Sequence, residues 1–228
     1  NPLMRRPAHA NDLWRMAADA WATDAVDPVA ELREDRTRIF QPLNVTADKW
    51  QIEAINSTSE NLMLLCSRQA GKSFVVAAMA LLEALVYPWS EVLIVSRSLR
   101  QSVELLRKVK ELKRGLTGER VHRRKGFVPK TIKQEVAEAD ATIKAKGWDG
   151  AALLGDDYSG KIKSKALTEE LPNGSRITSL PGNPDTIVGF SSVTLLILDE
   201  GSRVPDQLLN VVRPFLAASE ATHGRPGR

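Results

Sequence analysis

The stretch Leu62-Met63-Leu64-Leu65-Cys66-Ser67-Arg68-Gln69-Ala70-Gly71-Lys72-Ser73 decides the fold. Its apolar first half reads as a short strand buried on both faces of a parallel sheet. A loop follows, then a helix predicted from about Lys72 to Val86, which Pro88 terminates. Strand, loop and helix in that order are the context that a phosphate-binding loop requires. Gly71 lets the backbone approach a phosphate, Lys72 reaches the β- and γ-phosphates, and Ser73 offers a hydroxyl to Mg²⁺. Ser67, Arg68, Gln69 and Ala70 supply the rest of the cradle, completed by amide groups at the start of the helix. The spacing departs from the motif at one point, where Cys66 replaces the first glycine.

The pattern then repeats. Glu91-Val92-Leu93-Ile94-Val95-Ser96 is a second strand and Leu99 to Arg114 a second helix. Two β-α units in succession argue for a parallel sheet with right-handed crossovers. Arg176-Ile177-Thr178-Ser179-Leu180 is a further strand, and Val193 to Leu198 is another fully apolar one. Asp199 and Glu200 follow this last run, where an acidic residue at a strand end holds Mg²⁺ through water. Asp199 is the candidate metal residue and Glu200 the candidate general base that polarises the attacking water. Lys72 and Arg68 complete the candidate catalytic set. The fold class is α/β: a P-loop NTPase of the RecA-like type, with a mainly parallel sheet between two helical layers.

Upstream of the loop, Trp50-Gln51 lies about two helical turns before the first strand. A glutamine amide can pair with both the donor and the acceptor on the adenine edge, and an aromatic ring can pack beside the base. These two residues are therefore candidates for ATP over GTP, although Trp50 also reads as core. Residues from about His9 to Phe40 read as two amphipathic helices over the core, one with the stripe Leu13, Met16, Ala17 and Ala20, the other opened by Asp27-Pro28. The division is a helical segment over 1–41 and an ATPase domain over 42–228, with an insertion or mobile subdomain at about 115–171, where periodicity fades.

Composition narrows the function classes. The 228 residues are 43% hydrophobic and 26% charged, as for a globular domain with its own core. The N-terminus lacks the apolar run of a secretory signal, and no stretch of about 18 apolar residues could cross a membrane. One cysteine, Cys66, excludes an internal disulfide, and three scattered histidines make no metal cluster. An intracellular protein is expected. Net charge is +4, yet Arg97 to Lys133 carries thirteen Lys/Arg against three Glu. That asymmetry points to a polyanion partner or, equally, to a solvated helix face.

Together these segments are recognisable. Ser67-Arg68-Gln69-Ala70-Gly71-Lys72-Ser73 resembles the Walker A loop of phage large terminases, and Leu93-Ile94-Val95-Ser96 with Ser98-Leu99-Arg100-Gln101-Ser102 the segment after their second strand. Asn173-Gly174-Ser175-Arg176-Ile177 through Ser179-Leu180-Pro181-Gly182 and Gly189-Phe190-Ser191, to Leu196-Ile197-Leu198-Asp199-Glu200 and Arg203-Val204-Pro205-Asp206, is similar to the run around their Walker B motif. Trp50-Gln51 matches the position of their adenine motif. The likeness covers about residues 42 to 218.

The resemblance implies an ATPase motor that uses ATP and Mg²⁺ to drive double-stranded DNA into a procapsid. It implies docking on the portal protein, a small terminase subunit as partner, a homo-oligomeric ring, and the cytoplasm of an infected bacterial host. It places Arg68 beside the γ-phosphate, against the alternative of a structural ion pair, and leaves Arg97, Arg100, Arg176 and Arg203 as candidates for an arginine offered to a neighbouring subunit. The family's C-terminal nuclease domain is absent, so no nuclease activity is expected. Its coupling motif should follow Leu216, but the sequence stops at Arg228, and the strand carrying that motif lies between those of Walker A and Walker B. A gap in the sheet and marginal stability are therefore expected. Two other classes stay open: a helicase-like ATPase with a single-strand preference, and an inactive fragment that only binds.

Overall fold

The computed structural model describes residues 28–43, 45–67, 69–117, 131–146, 167–182, 187, 190 and 192–228. Its helices are α1 (Pro28–Glu34), α2 (Lys49–Asn56), α3 (Lys72–Val86), α4 (Leu99–Thr117), α5 (Ile132–Lys146), α6 (Asp206–Ala217) and α7 (Ser219–His223). The strands are β1 (Glu91–Ser96), β2 (Thr168–Glu170), β3 (Arg176–Pro181) and β4 (Leu195–Leu198), with 3₁₀ turns over Arg36–Leu43 and Gly201–Arg203.

The sheet runs β2-β3-β1-β4. β1 is parallel to β3 and to β4, and only β2 is antiparallel to its neighbour. Successive residues of a strand face opposite sides. Val92 and Ile94 of β1 accordingly join a core with α3 and α4, whereas Leu93 and Val95 join a second core with Leu208 and Val212 of α6. Burial on both faces is what produced the unbroken apolar β1 sequence. The result is a helix-sheet-helix sandwich with a mainly parallel sheet. Leu32, Ile39 and Phe40 pack into the first core; the helix expected around Leu13 to Ala20 lies outside the described residues.

Most predicted elements stand where expected, and one reading is corrected. The weakly periodic insertion contains the helix α5 and strand β2, while 118–130 and 147–166 lie outside the described residues. The correction concerns Leu62–Cys66, which is no strand and is not buried. Met63 is 90% and Leu65 97% exposed, and only Leu64 packs against the first core. A strand needs backbone partners, and this run joins none of the four strands. The outer edge of β4 is met instead by Arg228, whose N–H donates to Thr194 O (3.1 Å) and whose carbonyl accepts from Leu196 N–H (2.7 Å). Paired among the described residues with a strand on one side, β4 has Leu196, Ile197 and Leu198 half-buried rather than buried.

The helix α3 is apolar nearly all round, as a central helix must be. Its one acidic residue, Glu83, has a fully buried side chain held by Arg225 and by Arg228, the latter at 3.1 Å. Arg225 also lies 4.0 Å over the Tyr87 ring and donates to Ser90 Oγ at 2.9 Å. The side-chain amide of Asn173 donates to Ala84 O (2.7 Å), satisfying a carbonyl at the end of α3.

A second carboxylate, largely shielded with its side chain 19% exposed, sits at the opening of β1. Burial pushes the Glu91 carboxyl up to about 7 from the ordinary 4.5, although Arg176, 3.6 Å away, pulls it down; nearby Glu170 adds to the rise. The folded chain therefore holds a proton here that the unfolded chain releases, so this contribution to stability is present below pH 4.5 and declines as pH rises through about 7. The decline amounts to at most about 3 kcal/mol. Urea unfolding at pH 5 and pH 7.5 should show a smaller difference in Glu91→Gln than in the parent. Identical differences would mean that Glu91 does not titrate in this window.

Candidate active site

The loop ahead of α3 owes its shape to unusual backbone. Gln69 has φ +64 and Gly71 φ +83, both left-handed, and Gly71 is the residue that precedes the first turn of α3. Left-handed backbone is costly for Gln69 and permissible for Gly71. The carbonyl of Gly71 accepts from Phe74 N–H (2.9 Å) and Val75 N–H (3.1 Å), so α3 begins directly at the loop. Its remaining N-terminal amides supply positive dipole where an anion would sit.

The acidic half of the site arrives from β4. Asp199 N–H donates to Val95 O (2.9 Å), which ties the end of β4 to β1, and the Asp199 residue is 8% exposed. Lys72 Nζ lies 4.0 Å from Asp199 Oδ1. This separation is long for a hydrogen bond and leaves the ammonium able to turn toward phosphate. Glu200, next in the chain, has φ +55. A non-glycine residue held in the left-handed region is strained, and such strain gathers at functional sites.

The other predicted residues fall as follows. Ser73 and Ala70 are half-buried, Ser67 and Gln69 exposed, and Cys66 is a half-buried thiol. Trp50 is half-buried against the first core, and Gln51 is buried with its amide toward the loop. Arg68 lies outside the described residues. Arg176 is not at this end of the sheet: it pairs in register with Glu91 at the start of β1, opposite the loop. Arg97, Arg100 and Arg203 remain exposed.

A hydroxyl and a carboxylate are hard oxygen donors suited to Mg²⁺, which keeps several waters and binds through one or two carboxylates plus phosphate. Ser73 and Asp199 fit that role. Among the described residues no group of three or more His, Cys, Asp or Glu could cage a metal, so phosphate oxygens and water would complete the shell.

Part of the basic excess is engaged within the protein. Arg100 pairs with Glu104 at 3.0 Å, Arg107 with Glu111 at 3.6 Å, and Lys110 (3.9 Å) and Lys113 both meet Glu169 of β2. Burial holds the Lys110 ammonium below the usual lysine range against the pull of Glu169. Arg123, Arg124 and Lys125 lie outside the described residues.

The architecture has a solved counterpart. An arginine-to-alanine mutant of the large terminase ATPase domain of Thermus phage P74-26 matches at TM-score 0.52 and 17% identity, covering 79% of this chain and 64% of that one. The chain has the fold of a large terminase ATPase domain. The unmutated Thermus phage domain aligns at TM-score 0.48 and 18% identity, over 80% of this chain and 62% of that one. No protein-family model and no curated protein matches. The 4.0 Å approach of Lys72 to Asp199 brings the start of α3 and the end of β4 together at one end of the sheet.

Sequence reasoning missed the Glu83, Arg225 and Arg228 cluster. Its signal was present: one carboxylate in the otherwise apolar Phe74–Val86 stretch needs a buried cation.

Proposed function

We propose that the chain is the ATP-hydrolysing motor domain of a viral large terminase, coupling hydrolysis to movement of double-stranded DNA. The observation that carries this reading is the approach of Lys72 to Asp199 within the terminase fold. Gly71, Lys72 and the α3 amides would bind the triphosphate, and Ser73 with Asp199 would hold Mg²⁺, which neutralises charge on the phosphate oxygens. Glu200 would orient and deprotonate the attacking water, and Arg68 would stabilise the transferring phosphoryl group. Trp50, Gln51, Ser67, Gln69 and Ala70 complete the nucleotide site. The portal protein, a small terminase subunit and further copies in a ring are the partners this reading assigns, in the cytoplasm of an infected bacterium. No helix among the described residues is long and apolar enough to cross a membrane.

A second reading, a nucleotide-binding module without turnover, is favoured by the run in which Leu62, Met63 and Leu65 are exposed, which leaves the loop without a described strand beneath it. Steady-state ATP hydrolysis with Mg²⁺, with and without double-stranded DNA over a salt series, separates the two. A motor hydrolyses ATP, and DNA stimulation should fade steeply with salt because the contacts are to phosphate. Charge reversal at Arg123, Arg124 and Lys125 should weaken the stimulation. Nucleotide binding without turnover selects the second reading, and stimulation by single strands alone points to a helicase-like enzyme.

A further inference from the structure

We propose that Gln51 is a positioning residue of the phosphate loop, setting the direction of its amides, and does not read the base. Its side-chain oxygen accepts from Asp48 N–H at 3.0 Å, which caps α2. Its side-chain nitrogen donates to the carbonyl of Ala70 at 3.4 Å. The residue is 6% exposed. A glutamine amide retains one further lone pair and one further N–H beyond these bonds. With so little surface open, turning both toward a purine edge requires breaking the two bonds it already makes.

The grip on Ala70 has a direct stereochemical effect. In a trans peptide unit the C=O and the following N–H point in opposite directions. Holding the Ala70 carbonyl toward Gln51 therefore aims the Gly71 N–H away from it, as a donor for an anion in the loop. The fit is close: a Cβ built on Gly71 would lie 2.8 Å from Gln51 Nε2. Glycine at 71 thus serves its left-handed backbone and also admits the amide that orients the loop.

This inference rests on the proposed phosphate site, and the test keeps the two apart by using a ligand without a base. Binding of inorganic tripolyphosphate, ATP and GTP, each with Mg²⁺, is measured for the intact chain and for Gln51→Ala, Gln51→Met and Lys72→Ala. The Met variant fills the same space without either hydrogen bond, so it serves if the Ala variant misfolds. The expected result is a roughly 3- to 10-fold weakening of all three ligands by the Gln51 changes, with the ATP-to-GTP affinity ratio unchanged. Unaltered tripolyphosphate affinity with a narrowed ATP-to-GTP ratio overturns the proposal and makes Gln51 a base reader. Tripolyphosphate binding that Lys72→Ala does not weaken removes the phosphate site itself, and this proposal with it.

Discussion

Glu200→Gln leaves ATP bound and unhydrolysed. Glutamine preserves the size and polarity of the side chain and so the left-handed turn at φ +55, but it cannot take a proton from water. Loss of a positioned general base typically costs about 10²- to 10⁴-fold in turnover. Lys72→Ala acts differently, because it removes the ammonium that lies 4.0 Å from Asp199, and should weaken nucleotide binding as well as turnover. Comparing steady-state hydrolysis with equilibrium binding of ATP in the two variants gives distinct signatures. Turnover in Glu200→Gln within about twofold of the parent, far inside the range for a lost base, would show that another group activates the water.

Glu83→Ala destabilises the fold by about 3 to 5 kcal/mol, the usual consequence of removing one partner from a buried ion pair. Two guanidinium groups converge on Glu83, and Arg225 and Arg228 keep only 23% and 24% of their side-chain surface. Without the carboxylate, both charges face the inner end of α3, with Ser90 and the Tyr87 ring as the partners left to Arg225. Glu83→Gln should cost less, because an amide oxygen still accepts. Urea unfolding followed by far-ultraviolet circular dichroism measures both. A change below about 0.5 kcal/mol in Glu83→Ala, the size of an ordinary surface substitution, would mean that the arginines turn out to solvent without penalty.

Elements with strong local signals were legible in the sequence. The helix predicted from Lys72 to Val86 and the strand from Glu91 to Ser96 have those bounds in the structure, because long apolar helices and doubly buried strands depend little on partners to declare themselves. The run before the loop misled, because apolar character says that a segment seeks burial and not that a neighbouring strand is there to receive it. Met63 and Leu65 show the difference. At the candidate site, spacing singled out Lys72 and Asp199 separately, and their 4.0 Å approach comes from tertiary structure. The Gln51 contacts were invisible for the same reason: a bond from a side chain of α2 to the Ala70 carbonyl, 19 positions on, has no periodicity to betray it.

The bare apolar run also governs how the chain behaves at high concentration. Leu62, Met63 and Leu65 offer solvent an adhesive strip, and among the described residues the outer edge of β4 is engaged by Arg228 alone, around Leu195. Proteins usually blunt such features with charge, proline or a covering element, because an unpaired edge recruits strands from other molecules. Neither Lys nor Pro interrupts 62–66. Such a strip favours self-association in which every molecule keeps its native core, a hazard separate from unfolding.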